Sequence, residues 1–318
     1  MAPKALRITV IGGGSVGLVA GASLALAGAQ VTLTVRAASV AALRQSPLVV
    51  RGMLGDHHCA AGQITIEDTD HLTDACIACD VLVVTTKAYD VTTALAPFAA
   101  VPIRPKAVLL MQNGLGSADA ARAVLGPAIP IYSAVMRIGM ERVAPTEVTV
   151  SAYAGPVQVG SLFGDTSLEL ESLLALGAEA VLPMQQVPNI KHAIFGKLLV
   201  NSCLNPTGAL LGFTYGGLLE NGYSRRLIMD MADETLRVLG AVDGFHPYAT
   251  GKDYIEQFLQ PVIIQGASEH RSSMVQDIAA RRRTEIDHLN GAIVKLGREV
   301  GIATPVHQAI VALIKARE

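Results

Sequence analysis

Three sets of residues in this 318-residue chain have types and spacings that can do chemistry. Gly12, Gly14 and Gly17 have the G-x-G-x-x-G spacing. Gly12 allows a tight turn out of a strand. Gly14 lets the backbone approach a pyrophosphate, which any Cβ there would strike, and Gly17 lets the next helix pack close to the strand. With Gly13, Ser15 and Val16 they open a helix whose first N–H groups and partial positive charge suit phosphates. Arg36 follows about 20 residues after the glycines, where an acidic residue would bind a ribose 2′-hydroxyl and an arginine a 2′-phosphate. No Asp or Glu occurs before Asp56, so the expected cofactor is NADP(H); the competing reading is an ordinary surface arginine. The third set is Lys197, Asn201 and Asn205, spaced by four, which share one face of a helix. The helix is otherwise apolar, so these groups either find partners when buried or form a solvated stripe.

The elements that must carry these residues can be read from pattern. Ile8–Arg36 is a strand-helix-strand unit. It contains no charged residue between Arg7 and Arg36, and Lys4 and Arg7 precede it, which also fits an export or membrane segment. The glycines and Gln30 break any apolar helix short of the ~20 residues a span needs, and the Thr and Val repeated from Val31 to Val35 favour a strand. Val81–Thr86 and Ala107–Met111 are apolar runs of the kind buried in parallel sheets. Lys87 and Asn113 follow their C-terminal ends, the edge where open parallel sheets bind ligands. Residues 40–70 read as irregular, with short pieces such as Gln63–Glu67. Ile131–Met136, Glu147–Tyr153, Pro156–Gly160 and Ala180–Met184 read as strands, and Leu168–Glu179 as a helix.

Everything after Asn189 reads helical. The segments are Asn189–Leu211, Arg225–Leu239, Tyr254–Gln265, a helix starting near Ser272 and running on through Arg281–Asp287, and Val306–Lys315. Pro206 is expected to disrupt the first just after Asn205. Asn290-Gly291, Gly301 and Thr304-Pro305 mark turns. The implied division is residues 1–187 and 188–318.

Hydrophobic residues make up 51% of the chain and charged residues 16%, which supplies a sizeable core, and the net charge of -2 points away from nucleic acid and anionic membranes. No other stretch resembles a span or a targeting peptide, so the expected compartment is the cytoplasm. An apolar helical second domain suits a homodimer. Cys76 and Cys79 form a C-x-x-C, read as redox chemistry, half a zinc site with His57, His58 or His71 nearby, or two small apolar residues on a short helix before a strand; the last is favoured and no metal is expected. The triple arginine at 281–283 reads as a solvated face.

These motifs together resemble the ketopantoate reductase family over nearly the whole chain. The matching pieces are Gly-Gly-Gly-Ser-Val-Gly at 12–17, Thr-Lys-Ala-Tyr at 86–89, Gln-Asn-Gly at 112–114, Gly-Lys-Leu-Leu-Val-Asn-Ser-Cys-Leu-Asn-Pro at 196–206, and Ser-Ser-Met-Val-Gln-Asp through Arg-Arg-Thr-Glu-Ile-Asp at 272–287. The resemblance implies an α/β fold: an N-terminal Rossmann-type doubly wound domain plus an all-α C-terminal domain, with the active site in the cleft between them. It implies NADPH-dependent reduction of a small-molecule 2-oxo acid, ketopantoate, to pantoate in pantothenate synthesis, NADP+ being the product. Lys197 matches the family's catalytic lysine. Asn201, Asn205 and Ser273 match substrate positions, and Arg36, Lys87, Asn113 and Glu285 cofactor-side positions, Glu285 also lying near the catalytic centre. Negative charge grows on the ketone oxygen as hydride reaches carbon, and a positioned ammonium stabilises and then protonates it.

One position departs from the family pattern. About ten residues after the second helix asparagine, where family members carry Asn-Gly, this chain has Tyr215-Gly216. A tyrosine changes both the size and the bonding of that corner. Another 2-oxo acid is therefore the alternative substrate. A non-enzymatic NADP(H)-sensing protein is the alternative of another class, with no need for Lys197, Asn201, Ser273 and Glu285 together.

Overall fold

The computed structural model describes residues 5–101 and 104–318. The chain folds as two units, one formed by the residues through Gln112 with Ser117–Ile190, the other by Asn113–Gly116 with Lys191–Glu318.

The first unit contains strands β1 (Arg7–Ile11), β2 (Gln30–Val35), β3 (Leu48–Gly52), β4 (His57–Cys59), β5 (Thr65–Asp68), β6 (Val81–Val84), β7 (Ala107–Leu110), β8 (Ile131–Val135), β9 (Ile138–Ala144), β10 (Glu147–Tyr153), β11 (Val157–Gly160) and β12 (Met184–Gln186). Its helices are α1 (Ser15–Leu26), α2 (Ala37–Gln45), α3 (Asp74–Ile77), α4 (Val91–Ala99), α5 (Ser117–Leu125) and α6 (Leu168–Gly177). Eight strands form one sheet in the order β12-β11-β8-β7-β6-β1-β2-β5, parallel except where β11 meets β8. The four residues of β6 and of β7 are all buried, as the apolar runs predict. Strand β1 lies between β2 and β6, so the chain reverses its direction of build-up there, and the carboxyl end of β1 is a topological switch point. At the opposite end, Arg7 grips Asp80 through two side-chain bonds of 3.3 and 3.1 Å, with Lys106 at 3.0 Å. Burial opposes ionisation of Asp80, but these cations outweigh it and hold the carboxyl at about 2.

A second sheet, β4-β3-β10-β9, covers the other side of α1. A helix enclosed on both sides has no face for charge, which explains the uncharged run from Arg7 to Arg36. Residues 40–70 are thus not irregular: they form α2, β3, β4 and β5. Strand β3 pairs with β10, about 100 residues later, and that long-range pairing leaves no local pattern. Strand β9 pairs locally, in a hairpin with β10, but none of its residues is fully buried, so it carries no apolar run to mark it. The last strand starts at Met184 rather than Ala180, because the Leu182 N–H is taken by Ser23 Oγ at 2.7 Å and ladder pairing begins at the Pro183 carbonyl.

The second unit is helical: α7 (Ile190–Leu211), α8 (Tyr215–Glu220), α9 (Gly222–Asp243), α10 (Gly251–Tyr254), a wider π-type turn over Ile255–Ile264, α11 (Gln265–Ala267), α12 (Ser273–Ala279), α13 (Asn290–Glu299) and α14 (Pro305–Lys315). Helix α7 runs through Pro206, contrary to the expected break. A proline at 206 cannot donate to the Ser202 carbonyl one turn back. The buried Asn290 side chain supplies that bond instead, Nδ2 to Ser202 O at 3.0 Å. Asn290 Nδ2 also lies 3.0 Å from His307 Nδ1, and His307 Nε2 lies 3.0 Å from the Met231 carbonyl. Asn290 itself opens α13, where the sequence pattern marks a turn. The helix after Ser272 stops at Ala279, where Arg281 takes φ 51°. Arg281–Arg283 are exposed off the helix, with Arg282 paired to Asp277 and Arg283 to Asp287. Among the described residues no helix is long and apolar enough to cross a membrane.

Candidate active site

In the first unit, the turn after β1 is built on its glycines. Gly12 has φ 114°, and a Cβ there would stand 2.8 Å from Thr85 Oγ1, which itself donates to the Ile11 and Gly12 carbonyls. A Cβ on Gly17 would fall 1.8 Å from Gly12 O, so α1 approaches the turn as closely as a backbone can. Gly14 differs: it is exposed, with no heavy atom within 4 Å of its Cβ position. It is the N-cap of α1 and supplies no side-chain cap, so the N–H groups of Ser15, Val16 and Gly17 have no intrahelical acceptor. Open space before a row of aimed donors fits a pyrophosphate.

Around that turn the carboxyl edge is polar. Arg36 follows β2 and is exposed. Lys87 is half-buried and precedes a 3-10 turn over Ala88–Asp90. Gln112 Nε2 donates to the Val84 and Thr86 carbonyls at 2.8 and 3.1 Å, tying the ends of β6 and β7 together. Thr86 Oγ1 and Gln112 Oε1 are buried with no hydrogen-bond partner among the described residues, as for groups that meet a polar ligand. One residue escaped the sequence reading. Arg142 on β9 donates to Gly13 O at 2.9 Å and to the Ala144 and Pro145 carbonyls, holding a cation behind the turn. Partial burial lowers its pKa. No motif marks it; the pairing of β9 with β10 brings it there.

In the second unit, α7 carries Lys197, Asn201 and Asn205 in one row, the first two half-buried and Asn205 buried. Tyr215 Oη donates to Asn205 Oδ1 at 3.2 Å, and Ser272 Oγ to the Asn205 carbonyl at 3.3 Å. Burial pushes the Tyr215 phenol well above its usual range, so it remains a donor. Ser273, the first residue of α12, is exposed. Glu285 is buried and lies 3.5 Å from Asn113 Nδ2, a long contact.

The Gln-Asn-Gly motif is divided between the units. Gln112 stays with the sheet, while Asn113–Gly116 lies along Glu285–His288. Leu115 N–H donates to His288 O at 2.9 Å, and His288 Nδ1 lies 3.0 Å from Leu115 O. Gly114 has φ 80°, and its Cβ would come within 2.2 Å of His288 O, so only glycine fits this approach. Cys76 and Cys79 are buried in the first unit, and burial drives their thiols up to about 12 and about 11, outside the range of a reactive thiolate.

The model for "Ketopantoate reductase PanE/ApbA" matches residues 8–164, and that for "Ketopantoate reductase PanE/ApbA C terminal" matches residues 189–318. The chain is 31% identical over 237 residues to a 2-dehydropantoate 2-reductase of Pyrobaculum aerophilum, covering 74% of this chain and 76% of that one. Against the 2-dehydropantoate 2-reductase of Aquifex aeolicus it is 27% identical over 314 residues, covering 98% and 97%. Among solved structures, a PanE/ApbA family ketopantoate reductase from Ralstonia eutropha JMP134 superposes with a TM-score of 0.81 at 26% identity, over 98% of both chains. A D-mandelate dehydrogenase solved with NADH and anilino(oxo)acetate shares the fold, with a TM-score of 0.83 at 22% identity over 98% of both chains.

Proposed function

The chain belongs to the ketopantoate reductase family, and from that premise we propose that it reduces 2-dehydropantoate to pantoate with NADPH, a step of pantothenate synthesis. It is an oxidoreductase acting on the CH–OH/C=O pair. The observation that carries the reading is that one chain holds both an open pyrophosphate turn at Gly14 and a lysine-asparagine row on α7. The proposed domains are residues 1–187 for the cofactor and 188–318 for the oxo acid.

NADPH held there would supply the hydride that C2 of the oxo acid accepts. The N–H groups of Ser15, Val16 and Gly17 bind the pyrophosphate, with Gly12, Gly13 and Gly14 shaping the turn. Arg36 takes the 2′-phosphate with paired donors. Lys87 and Asn113 serve the cofactor side. As the carbonyl oxygen gains charge, the Lys197 ammonium stabilises it and then hands it a proton, which completes the alcohol. The lysine regains its proton from solvent. Asn201, Asn205 and Ser273 offer neutral donors to the substrate's oxygens without adding net charge. Glu285 orients and balances Lys197. Four unbridged cysteines suit the reducing cytoplasm, the proposed compartment, and a homodimer is the proposed assembly.

Another 2-oxo acid is the second reading, favoured by Tyr215 and its bond to Asn205. NADPH oxidation measured with ketopantoate beside branched and aromatic 2-oxo acids separates the two. The first requires kcat/KM for ketopantoate to exceed the others by a wide margin. Comparable or higher efficiency with another oxo acid replaces it with the second.

A further inference from the structure

Asn205 is the buried member of the α7 row, Lys197 and Asn201 being half-buried. Its Oδ1 accepts from Tyr215 Oη at 3.2 Å, and its Nδ2 has no partner among the described residues. Both residues are buried, at 6% and 8% exposure. Leaving a buried donor unpaired is costly, and Tyr215 Oη has no other acceptor among the described residues. That fixes the amide with oxygen toward the tyrosine and both N–H groups away from it. Tyr215 is itself held firmly. Its N–H donates to His270 O at 3.0 Å, the next N–H donates to Ser268 O at 2.9 Å, and the His270 ring meets its own edge-on at 5.0 Å. Thr214 caps the same turn through Gly217 N–H.

We propose that Tyr215 is a positioning residue for substrate specificity, locking the Asn205 amide so that it presents only N–H donors to an acceptor oxygen of the 2-oxo acid. The inference rests on Asn205 meeting substrate, as in the function proposed above. An unlocked asparagine can rotate its amide and pair with a donor or an acceptor. A locked one rejects a substrate that offers a donor at that corner. Asn205 stands eight residues from Lys197, about 12 Å along the helix axis, so its contact is remote from the reacting carbonyl. Such a contact is made equally in the ground and transition states, and its loss appears in KM rather than kcat.

The test is a double-mutant cycle on the full chain with NADPH and ketopantoate, using Tyr215→Phe, Asn205→Ala and the double variant. Tyr215→Phe keeps the ring and removes the oxygen. It is expected to raise KM about 5- to 30-fold, the range of one lost buried hydrogen bond, with a smaller change in kcat. In the Asn205→Ala background the same change is expected to add less than twofold, because no amide remains to lock. NADPH affinity, read by titration, is expected to stay at the wild-type value and shows that each variant is folded. A KM within twofold of wild type for Tyr215→Phe overturns the proposal, as do effects of the two substitutions that multiply. Loss of kcat and NADPH affinity together, with KM unmoved, assigns Tyr215 to packing alone and also overturns it. A wild-type chain that reduces no 2-oxo acid removes the proposed function itself, an outcome distinct from these.

Discussion

Gly14 and Gly17 look equivalent in a motif, yet alanine at the two positions is expected to do opposite things. At Gly14 the backbone has φ -76° and ψ 178°, which alanine adopts freely, and its Cβ meets nothing within 4 Å. Fewer unfolded conformations favour Gly14→Ala by about 0.4–1 kcal/mol, and alanine is the poorer N-cap by a similar amount. The two offset each other, so the unfolding midpoint should move by less than about 3 °C. Binding is another matter. The new methyl stands where a pyrophosphate would lie, and each charge-assisted bond lost from the helix N-terminus costs about 1.5–3 kcal/mol. NADPH affinity should therefore fall about 10- to 150-fold. At Gly17 the Cβ would sit 1.8 Å from Gly12 O and 2.5 Å from Thr85 Oγ1. Main chain must move, at a cost of about 1–3 kcal/mol, so Gly17→Ala should melt about 3–10 °C lower. The assays are calorimetry for the midpoints and the cofactor's own fluorescence for binding, which suits a chain with no tryptophan. If Gly14→Ala melts like Gly17→Ala, or binds NADPH like wild type, the division of labour in this turn is refuted.

Lys197→Ala is expected to cut turnover about 100- to 1000-fold while NADPH still binds, and retained turnover in a stopped-flow assay removes the lysine from the chemistry. Arg36→Ala should lower the NADPH-to-NADH ratio of kcat/KM about 10- to 150-fold, the worth of a lost charge-assisted pair, and an unchanged ratio counts against a 2′-phosphate role. His307 is fully buried, and burial lowers its pKa from 6.5 to about 4, with the bond to Met231 O opposing. The unfolded chain takes up that proton below 6.5 and the folded chain only near 4, so the stability is complete above pH 6.5 and declines as the pH falls to 4, by about 3 kcal/mol in all. Unfolding midpoints at pH 7 and 4.5 should differ less in His307→Gln than in wild type; an identical difference rejects this origin.

Much of the fold was legible because its signals are local. Apolar runs such as Val81–Val84 could only be buried strands, and the small-residue helix after Gly12 could only lie against them. What escaped depends on partners distant in sequence. Nothing near residue 50 announces that β3 will pair with β10. Nothing near Pro206 announces that Asn290, 84 positions later, will satisfy the carbonyl it strands. The candidate site divides in the same way. Gly12, Gly14 and Gly17 owe their roles to the missing Cβ, joined at Gly12 by a positive φ, and can be found by spacing alone. Arg142 reaches Gly13 only through a hairpin, and the contact of Asn113 with Glu285 joins residues 172 positions apart, which no local pattern shows.

The double enclosure of α1 has a consequence for biosynthesis. One side of that helix is covered as soon as β1 and β2 emerge, and β3 and β4 begin to cover the other, but that cover is complete only when β9 and β10 are made and residue 153 has left the ribosome. In between, for about ninety codons, the nascent chain keeps an uncharged, greasy segment only partly covered, the kind of surface that chaperones hold and that aggregates when they do not. Truncations ending before residue 138 should accumulate as insoluble material, whereas those ending after residue 190, with the second sheet complete, should stay in solution.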